Sequence, residues 1–258
     1  MRTIILSIIL AVCGVVSSAQ SLVESATAEY NNDKYAKALE LYLQAANEEG
    51  TSSDLFYNIG NTYYRMGDLG NAVLYYERAL VLNPSNEDAE INLEFVNSKI
   101  QTRLSEEKSF VVHVIDTFIE SLTSNEWATI AAITFVLLIA GILLYVFSSV
   151  VTLRKVGFFG GGVMLVVSIV SLISAFSVKS RVESHSKAVV LSPSVTLSTV
   201  PRIPKGKAEE AFILTAGNKV TVVDSVENIN GEKAEMWYEV KADDTHRAWL
   251  KKEHVERI

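Results

Sequence analysis

The sequence contains little of what most enzymes use for chemistry. Its single cysteine, Cys13, lies in an apolar N-terminal segment, so a chain without this segment has no disulfide, reactive thiol or cysteine-bound metal. The four histidines lie on separate segments, and none is paired at the spacing of metal ligands. A Walker loop, a nucleophile elbow and an H-E-x-x-H motif are also missing. These absences predict a protein that is not an enzyme and binds no cofactor and no metal.

Charged residues are missing from two long stretches, residues 127–147 and 156–178. At about 1.5 Å per residue, each stretch is long enough for a helix to cross a hydrocarbon core of about 30 Å. The short link between them, residues 148–155, predicts a helical hairpin with Arg154 and Lys155 on the cytoplasmic side. The spans contain no acidic residue, which excludes a proton or ion path and with it a transporter subunit.

The first nineteen residues, 1–19, have the pattern of a secretory signal peptide. Arg2 precedes an apolar run, and the small residues Ser17, Ser18 and Ala19 form a cleavage site. The alternative is an uncleaved anchor helix. A cleaved signal places both domains that flank the hairpin in the periplasm, in a multi-pass protein of the bacterial inner membrane.

Charge is distributed unevenly between those two domains. Residues 20–104 contain six basic and thirteen acidic residues, whereas residues 179–258 contain thirteen basic and twelve acidic residues. An acidic N-terminal domain is not expected to bind nucleic acid, because phosphates need basic patches. Its charge favours a partner with a basic segment.

The chain between residues 20 and 101 repeats with a period of 34 residues. Three positions of the first copy, Ala38, Tyr42 and Ala45, recur as Ala72, Tyr76 and Ala79. Paired helices at this period resemble the tetratricopeptide repeat. The resemblance is close over residues 53–86, where the repeat signature is Ile59, Gly60, Tyr63, Ala72, Tyr76, Ala79 and Pro84. Gly60 and Ala72 let the two helices cross closely, and Pro84 ends the second helix.

Residues 20–52 predict a weaker first repeat. Residues 86–100 predict a capping helix that begins at Ser85 or Asn86.

The resemblance implies a peptide-binding groove lined by the first helix of the close repeat. The groove residues would be Tyr57, Asn58, Asn61, Tyr64 and Arg65. The two asparagines would hydrogen-bond an extended peptide backbone, and the tyrosines would offer apolar contact. The family's carboxylate clamp needs basic residues from several repeats, and Arg65 stands nearly alone. The alternative is a solvated groove with no fixed ligand.

Two features near the membrane leave alternatives open. Residues 110–122, within the connector 102–126, have apolar residues at helical spacing. They predict a helix along the membrane surface, or else a continuous extension of the first span. In the second span, Gly157 and Gly161 form a G-x-x-x-G pair. The pair is expected to pack within the hairpin or to form a docking face for another membrane protein.

The tail, residues 179–258, consists of short β-rich runs separated by turn signals. Its motifs resemble a bacterial SH3-like domain, with segments such as 195–197, 236–240 and 248–250. Ser198 stands where such domains often carry arginine, and Ala248 where they often carry glycine. Trp237 and Trp249 share their strand faces with charged residues, so they are predicted to form an exposed binding surface or to be packed under a loop.

The predicted fold class is therefore multidomain: an α-helical tetratricopeptide-repeat solenoid, a two-helix transmembrane hairpin and a small all-β SH3-like barrel. This order of domains resembles the BatE-type proteins of a bacterial aerotolerance operon. The resemblance implies partners of the von Willebrand A type in the membrane, a chaperone-like AAA+ ATPase, and a role in tolerance of oxygen or envelope stress. The first hypothesis is a membrane-anchored scaffold. The alternative is a cell-envelope sensor whose SH3-like domain binds peptidoglycan.

Overall fold

The computed structural model describes residues 22–100, 110–183, 186–230, 233–243 and 245–258. The described chain forms two compact units. The first, called here the repeat–sheet unit, holds residues 22–82, 86–100 and 186–258, and the second, the hairpin unit, holds residues 83–85 and 110–183. The predicted signal peptide, residues 1–19, lies outside the described residues.

Five helices form the N-terminal part of the repeat–sheet unit. They are α1 (residues 22–31), α2 (Tyr35–Glu49), α3 (Ser53–Met66), α4 (Leu69–Leu82) and α5 (Glu87–Lys99). Contacts link α2 to α3, α3 to α4 and α4 to α5. Helix α5 begins at the predicted cap, where Asn86 Oδ1 accepts a hydrogen bond from the Ala89 amide at 3.0 Å.

The turns after α1 and α3 have the same geometry, 34 residues apart. Gly67 adopts the left-handed conformation with φ 81°, and its amide donates to the Tyr64 carbonyl at 3.0 Å. Asp33 also lies in the left-handed region, with φ 59°, and its amide donates to the Tyr30 carbonyl at 3.0 Å. Aspartate tolerates this conformation better than most residues do, which explains why the first turn forms without glycine. The predicted weaker repeat therefore folds as a helical pair like its neighbour.

The predicted close crossing of α3 and α4 is present at Gly60. A Cβ atom on Gly60 would lie 2.8 Å from the ring of Tyr76, which is closer than real side chains come. The corresponding residues of the first pair, Ala26 and Tyr42, are 0% and 2% exposed. The tyrosines at positions 42 and 76 thus fill the space between paired helices, as the sequence pattern predicts.

The C-terminal part of the repeat–sheet unit is an antiparallel sheet. Its strands are β1 (Lys187–Val190), β2 (Ser194–Ser198), β3 (Glu210–Thr215), β4 (Lys219–Asn230), β5 (Lys233–Lys241), β6 (Arg247–Lys251) and β7 (Val255–Arg257). The order across the sheet is β3-β2-β6-β5-β4-β1-β7. In the described residues the two edge strands, β3 and β7, do not pair with each other, so the sheet is open. The coarse prediction of a small all-β region holds, whereas the closed SH3-like barrel is not established.

The sheet packs against helix α4, although the sequence predicts the two regions as separate domains. Val189 of β1 belongs to the same buried cluster as Ala72 and Val73 of α4. Lys219 Nζ of β4 lies 2.7 Å from Glu77 Oε1 of α4, and the Glu77 side chain is only 12% exposed. The segments that precede and follow the predicted hairpin in the chain therefore build one compact unit.

The hairpin unit contains α6 (Phe110–Glu120), α7 (Ser124–Phe147) and α8 (Val151–Glu183). Helices α7 and α8 are long and apolar enough to cross a membrane, by length and composition. They are joined by residues 148–150, and Arg154 and Lys155 of the predicted link 148–155 belong to the start of α8. Helix α6 is separate from α7, because Thr123 caps a new helix at Ser124 through a capping box. The alternative of a continuous extension of the first span is wrong.

The predicted glycine pair lies in the seam between α7 and α8. A Cβ atom on Gly157 would lie 2.6 Å from the carbonyl oxygen of Gly141, and one on Gly141 would lie 3.1 Å from Gly161 Cα. Gly141, a partner that the sequence pattern did not single out, completes the contact. This geometry favours packing within the hairpin over a docking face at Gly157.

Candidate functional site

A cavity of about 290 Å³, called here the groove pocket, opens between the helices of the repeats. It is lined by Tyr30, Tyr57, Asn61, Tyr64, Arg65, Tyr76, Asn92, Phe95 and Val96. Four of the five predicted groove residues are in this set. The exception is Asn58, which is half-buried and whose carbonyl accepts a hydrogen bond from Thr62 Oγ1 at 2.7 Å. The first helix of the close repeat therefore supplies one wall of the pocket, as expected.

The remaining lining residues come from the neighbouring helices α1, α4 and α5. Tyr30 precedes Tyr64 by one 34-residue period, and Asn92 follows Asn58 by the same interval. Extending the period in both directions would have found these two residues. Phe95 takes the position that Asn61 holds one period earlier, so the change of residue type concealed its role.

Hydrogen bonds hold the polar part of the pocket in one arrangement. Tyr76 Oη donates to Asn61 Oδ1 at 2.6 Å, and Asn92 Nδ2 donates to the same oxygen at 2.9 Å. Asn92 Nδ2 also lies 3.4 Å from the Tyr57 hydroxyl. Burial raises the pKa of Tyr76, which keeps its phenol protonated and able to donate. Because the Asn61 oxygen accepts two bonds from the protein, its Nδ2 group is the part that remains to donate to a ligand.

Two basic side chains stand beside the aromatic residues of the pocket. Arg65 pairs with Asp33 at 3.0 Å, so its charge is largely balanced within the repeats. Lys99 Nζ donates to the Tyr64 hydroxyl at 2.7 Å and lies 4.4 Å from the centre of the Phe95 ring. Within the described part of the chain, Lys99 has no carboxylate partner. The pocket thus combines aromatic walls with hydrogen-bond donors.

The two predicted tryptophans of the tail differ in exposure, and Trp237 agrees with the alternative of a packed side chain and not with an exposed surface. Trp237 is only 3% exposed, so it offers no open face to a ligand. The ammonium of Lys251 lies 5.9 Å from the ring centre and is held by Glu235 at 2.7 Å. Long charged side chains can cover an aromatic ring with their apolar stems, which explains how Trp237 is buried on a face that also carries charges. Trp249 is half-buried.

The described residues contain no group of three or more His, Cys, Asp or Glu side chains placed to hold a metal ion. The chemistry available at the groove pocket is hydrogen bonding and apolar contact.

Comparison with known proteins finds a match for two of the helices, α3 and α4. Residues 53–86 match the tetratricopeptide repeat family. No curated protein matches the chain. Among solved structures, the chain is similar to the complex of the TPR2AB domain of yeast Sti1 with pHSP90. Sequence identity is 17%, the match covers 65% of this chain and 59% of that chain, and the TM-score is 0.29.

The repeat assignment therefore rests on the family match and on the helix geometry. The chain spans 59% of the length of the Sti1 structure's chain. Tetratricopeptide repeats stack into solenoids whose concave surfaces bind other proteins. Residues 53–86 thus match a repeat family whose members typically serve protein–protein interaction.

Proposed function

We propose that this protein is a membrane-anchored scaffold that holds a partner protein at the groove pocket. The observation that carries the proposal is the pocket itself, in which four predicted groove residues meet aromatic and amide side chains of three other helices. Its aromatic walls and amide groups suit binding, and the described residues contain no group of side chains placed to hold a metal ion. The protein is accordingly proposed to be a non-enzymatic interaction module.

The pocket suits one side chain of a partner together with the adjoining backbone. Its volume of about 290 Å³ lies at the lower end of the usual range for ligand sites. Tyr57 and Tyr64 offer apolar faces, and Asn61 Nδ2 can donate to a peptide carbonyl. An extended segment of a partner, anchored by one large side chain, fits these features.

The proposed membrane topology is supported by the packing within the repeat–sheet unit. Helix α4 precedes the hairpin and strand β4 follows it, yet Glu77 and Lys219 form an ion pair at 2.7 Å. Such contact requires both segments to be on the same side of a membrane, which two spans provide. With a cleaved signal peptide, that side is the periplasm of a bacterial inner membrane.

The resemblance to BatE-type proteins extends the proposal to an aerotolerance or envelope-stress complex with von Willebrand A-type membrane partners. The alternative is a sensor that binds peptidoglycan through an SH3-like domain. Ser198 stands where such domains often carry arginine, and Trp237, one of the two residues proposed for its binding surface, is buried, so the scaffold is favoured.

The proposal is tested by crosslinking in cells, followed by affinity purification from solubilised membranes. The intact protein is compared with a Tyr64→Ala/Arg65→Ala variant and with Met66→Ala, whose side chain is 47% exposed and outside the pocket. Envelope proteins lost from the double variant but retained by Met66→Ala would support the scaffold. The same set of partners in all three would contradict it.

A further inference from the structure

Helix α6 presents an exposed apolar face next to the predicted membrane spans. Val111, Ile115 and Phe118 are 62%, 51% and 53% exposed, and their spacing places them on one side of the helix. Asp116 and Glu120 lie on the opposite side, four residues apart. The helix is therefore amphipathic, and about half or more of each of these three apolar side chains is exposed.

The length of α6 excludes a third crossing of the membrane. The helix has 11 residues. At about 1.5 Å per residue it extends about 17 Å, whereas a hydrocarbon core is about 30 Å thick. An apolar surface of this length can lie along a bilayer but cannot span it.

The end of α6 is attached to the beginning of α7. Trp127 Nε1 donates to the Ile119 carbonyl at 2.9 Å, and the rings of Phe118 and Trp127 are 5.2 Å apart. Trp127 itself is only 5% exposed. These contacts hold α6 at the level where the apolar stretch of α7 starts. Tryptophan is typical of that level, where the headgroups meet the hydrocarbon.

We infer that α6 lies in the membrane surface with its apolar face in the acyl chains of the outer part of one leaflet. The inference rests on the proposed membrane anchoring: α6 is attached at Trp127 to α7, whose large apolar side chains are exposed from Ile133 onward. Lipid is thus the occupant that both surfaces share.

The charge of α6 defines the kind of lipid surface it fits. Many interfacial helices are rich in lysine and arginine and depend on anionic lipids. Helix α6 has two acidic residues and neither lysine nor arginine. Its attachment comes from apolar burial, so it requires no anionic headgroup.

The test measures the depth of single nitroxide labels on the full-length chain in vesicles. Cys13→Ser removes the single native cysteine. Single cysteines then replace Ile115 on the apolar face, Thr117 toward the polar face, or Leu137 within the predicted span. Collision of the label with oxygen, which concentrates in lipid, is compared with collision with a water-soluble nickel chelate. Vesicles of phosphatidylcholine are compared with vesicles that also contain phosphatidylglycerol.

The inference predicts that the ratio of oxygen collision to nickel collision is severalfold higher at position 115 than at position 117. This difference is expected to be the same in both kinds of vesicle. High nickel collision at 115 with a lipid-like signal at 137 would overturn the inference and leave the anchoring intact. A label at position 115 that collides with neither reagent would also overturn the inference, because it would show that protein covers the apolar face of α6. A water-like signal at 137 would instead refute the membrane anchoring on which the inference rests. A ratio at 115 that rises only with phosphatidylglycerol would contradict attachment by apolar burial.

Discussion

Single residues decide how closely the helices of the repeats approach. Gly60 has no side chain, and Tyr76 occupies the space that a Cβ atom would need. The hydroxyl of the same tyrosine binds Asn61 in the groove pocket. Packing between the helices and the geometry of the pocket are therefore linked through one ring.

The substitution Gly60→Ala is expected to destabilise the repeat–sheet unit despite alanine's better helix propensity. The propensity gain is about 1 kcal/mol, and overpacking costs about 1–3 kcal/mol. We expect a net loss of about 1 kcal/mol, because the ring that must move is held by Asn61. The midpoint of urea unfolding in detergent, followed by circular dichroism, measures the change. An unchanged or higher midpoint would show that the ring can move freely.

The pocket shows which residue roles a sequence can reveal. Tyr57, Asn61, Tyr64 and Arg65 were predictable because they occupy known positions of a repeat with its own signature. Phe95 was not, because its residue type differs from that of its counterpart one period earlier. For Trp237 the sequence left exposure and burial both open, because strand alternation gives the face of a side chain but not what covers it.

At the scale of helices and strands, the clearest link between elements is the start of α5. Asn86 Oδ1 caps this helix, and Asn86 Nδ2 donates to Ser53 Oγ at 2.9 Å. Ser53 Oγ in turn donates to the Ala79 carbonyl at 2.9 Å. One asparagine thus connects three consecutive helices of the solenoid.

Two substitutions at position 86 separate these roles. Asn86→Asp keeps the oxygen that caps the helix but removes the donor to Ser53, so we expect a loss of about 1 kcal/mol. Asn86→Ala removes both interactions, and we expect it to lower the free energy of unfolding by about 2 kcal/mol. Urea unfolding of the full chain gives both values. Equal losses in the two variants would mean that the bond to Ser53 adds no stability.

At the scale of the whole molecule, the main finding is that the repeats and the sheet form one compact unit. Besides the pair of Glu77 and Lys219, Arg78 Nη2 donates to the Arg257 carbonyl at 2.7 Å. These contacts join residues more than a hundred positions apart, with no repeated pattern between them. The helical repeat and the hairpin were predictable from periodicity and apolar length, whereas their assembly depended on single long-range contacts that carry no such signal.

A double-mutant cycle tests whether the two parts stabilise each other. Glu77→Gln and Lys219→Gln are each expected to lower the free energy of unfolding of the unit. The double variant is expected to lose less stability than the two single variants lose together. Lys219 is 43% exposed, so screening by water reduces the coupling to about 1 kcal/mol or less. The measurement is again the unfolding midpoint of the full chain. Additive losses would indicate that the pair does not couple the repeats to the sheet.

The most direct test of the scaffold is photo-crosslinking in cells from inside the groove pocket. A photoreactive phenylalanine analogue replaces Tyr64 in the pocket or, as a control, Leu82, which is 42% exposed and outside it. We predict one discrete crosslinked envelope protein from position 64 that is missing from position 82. No crosslink from position 64, or the same products from both positions, would contradict the proposal that the pocket holds a partner.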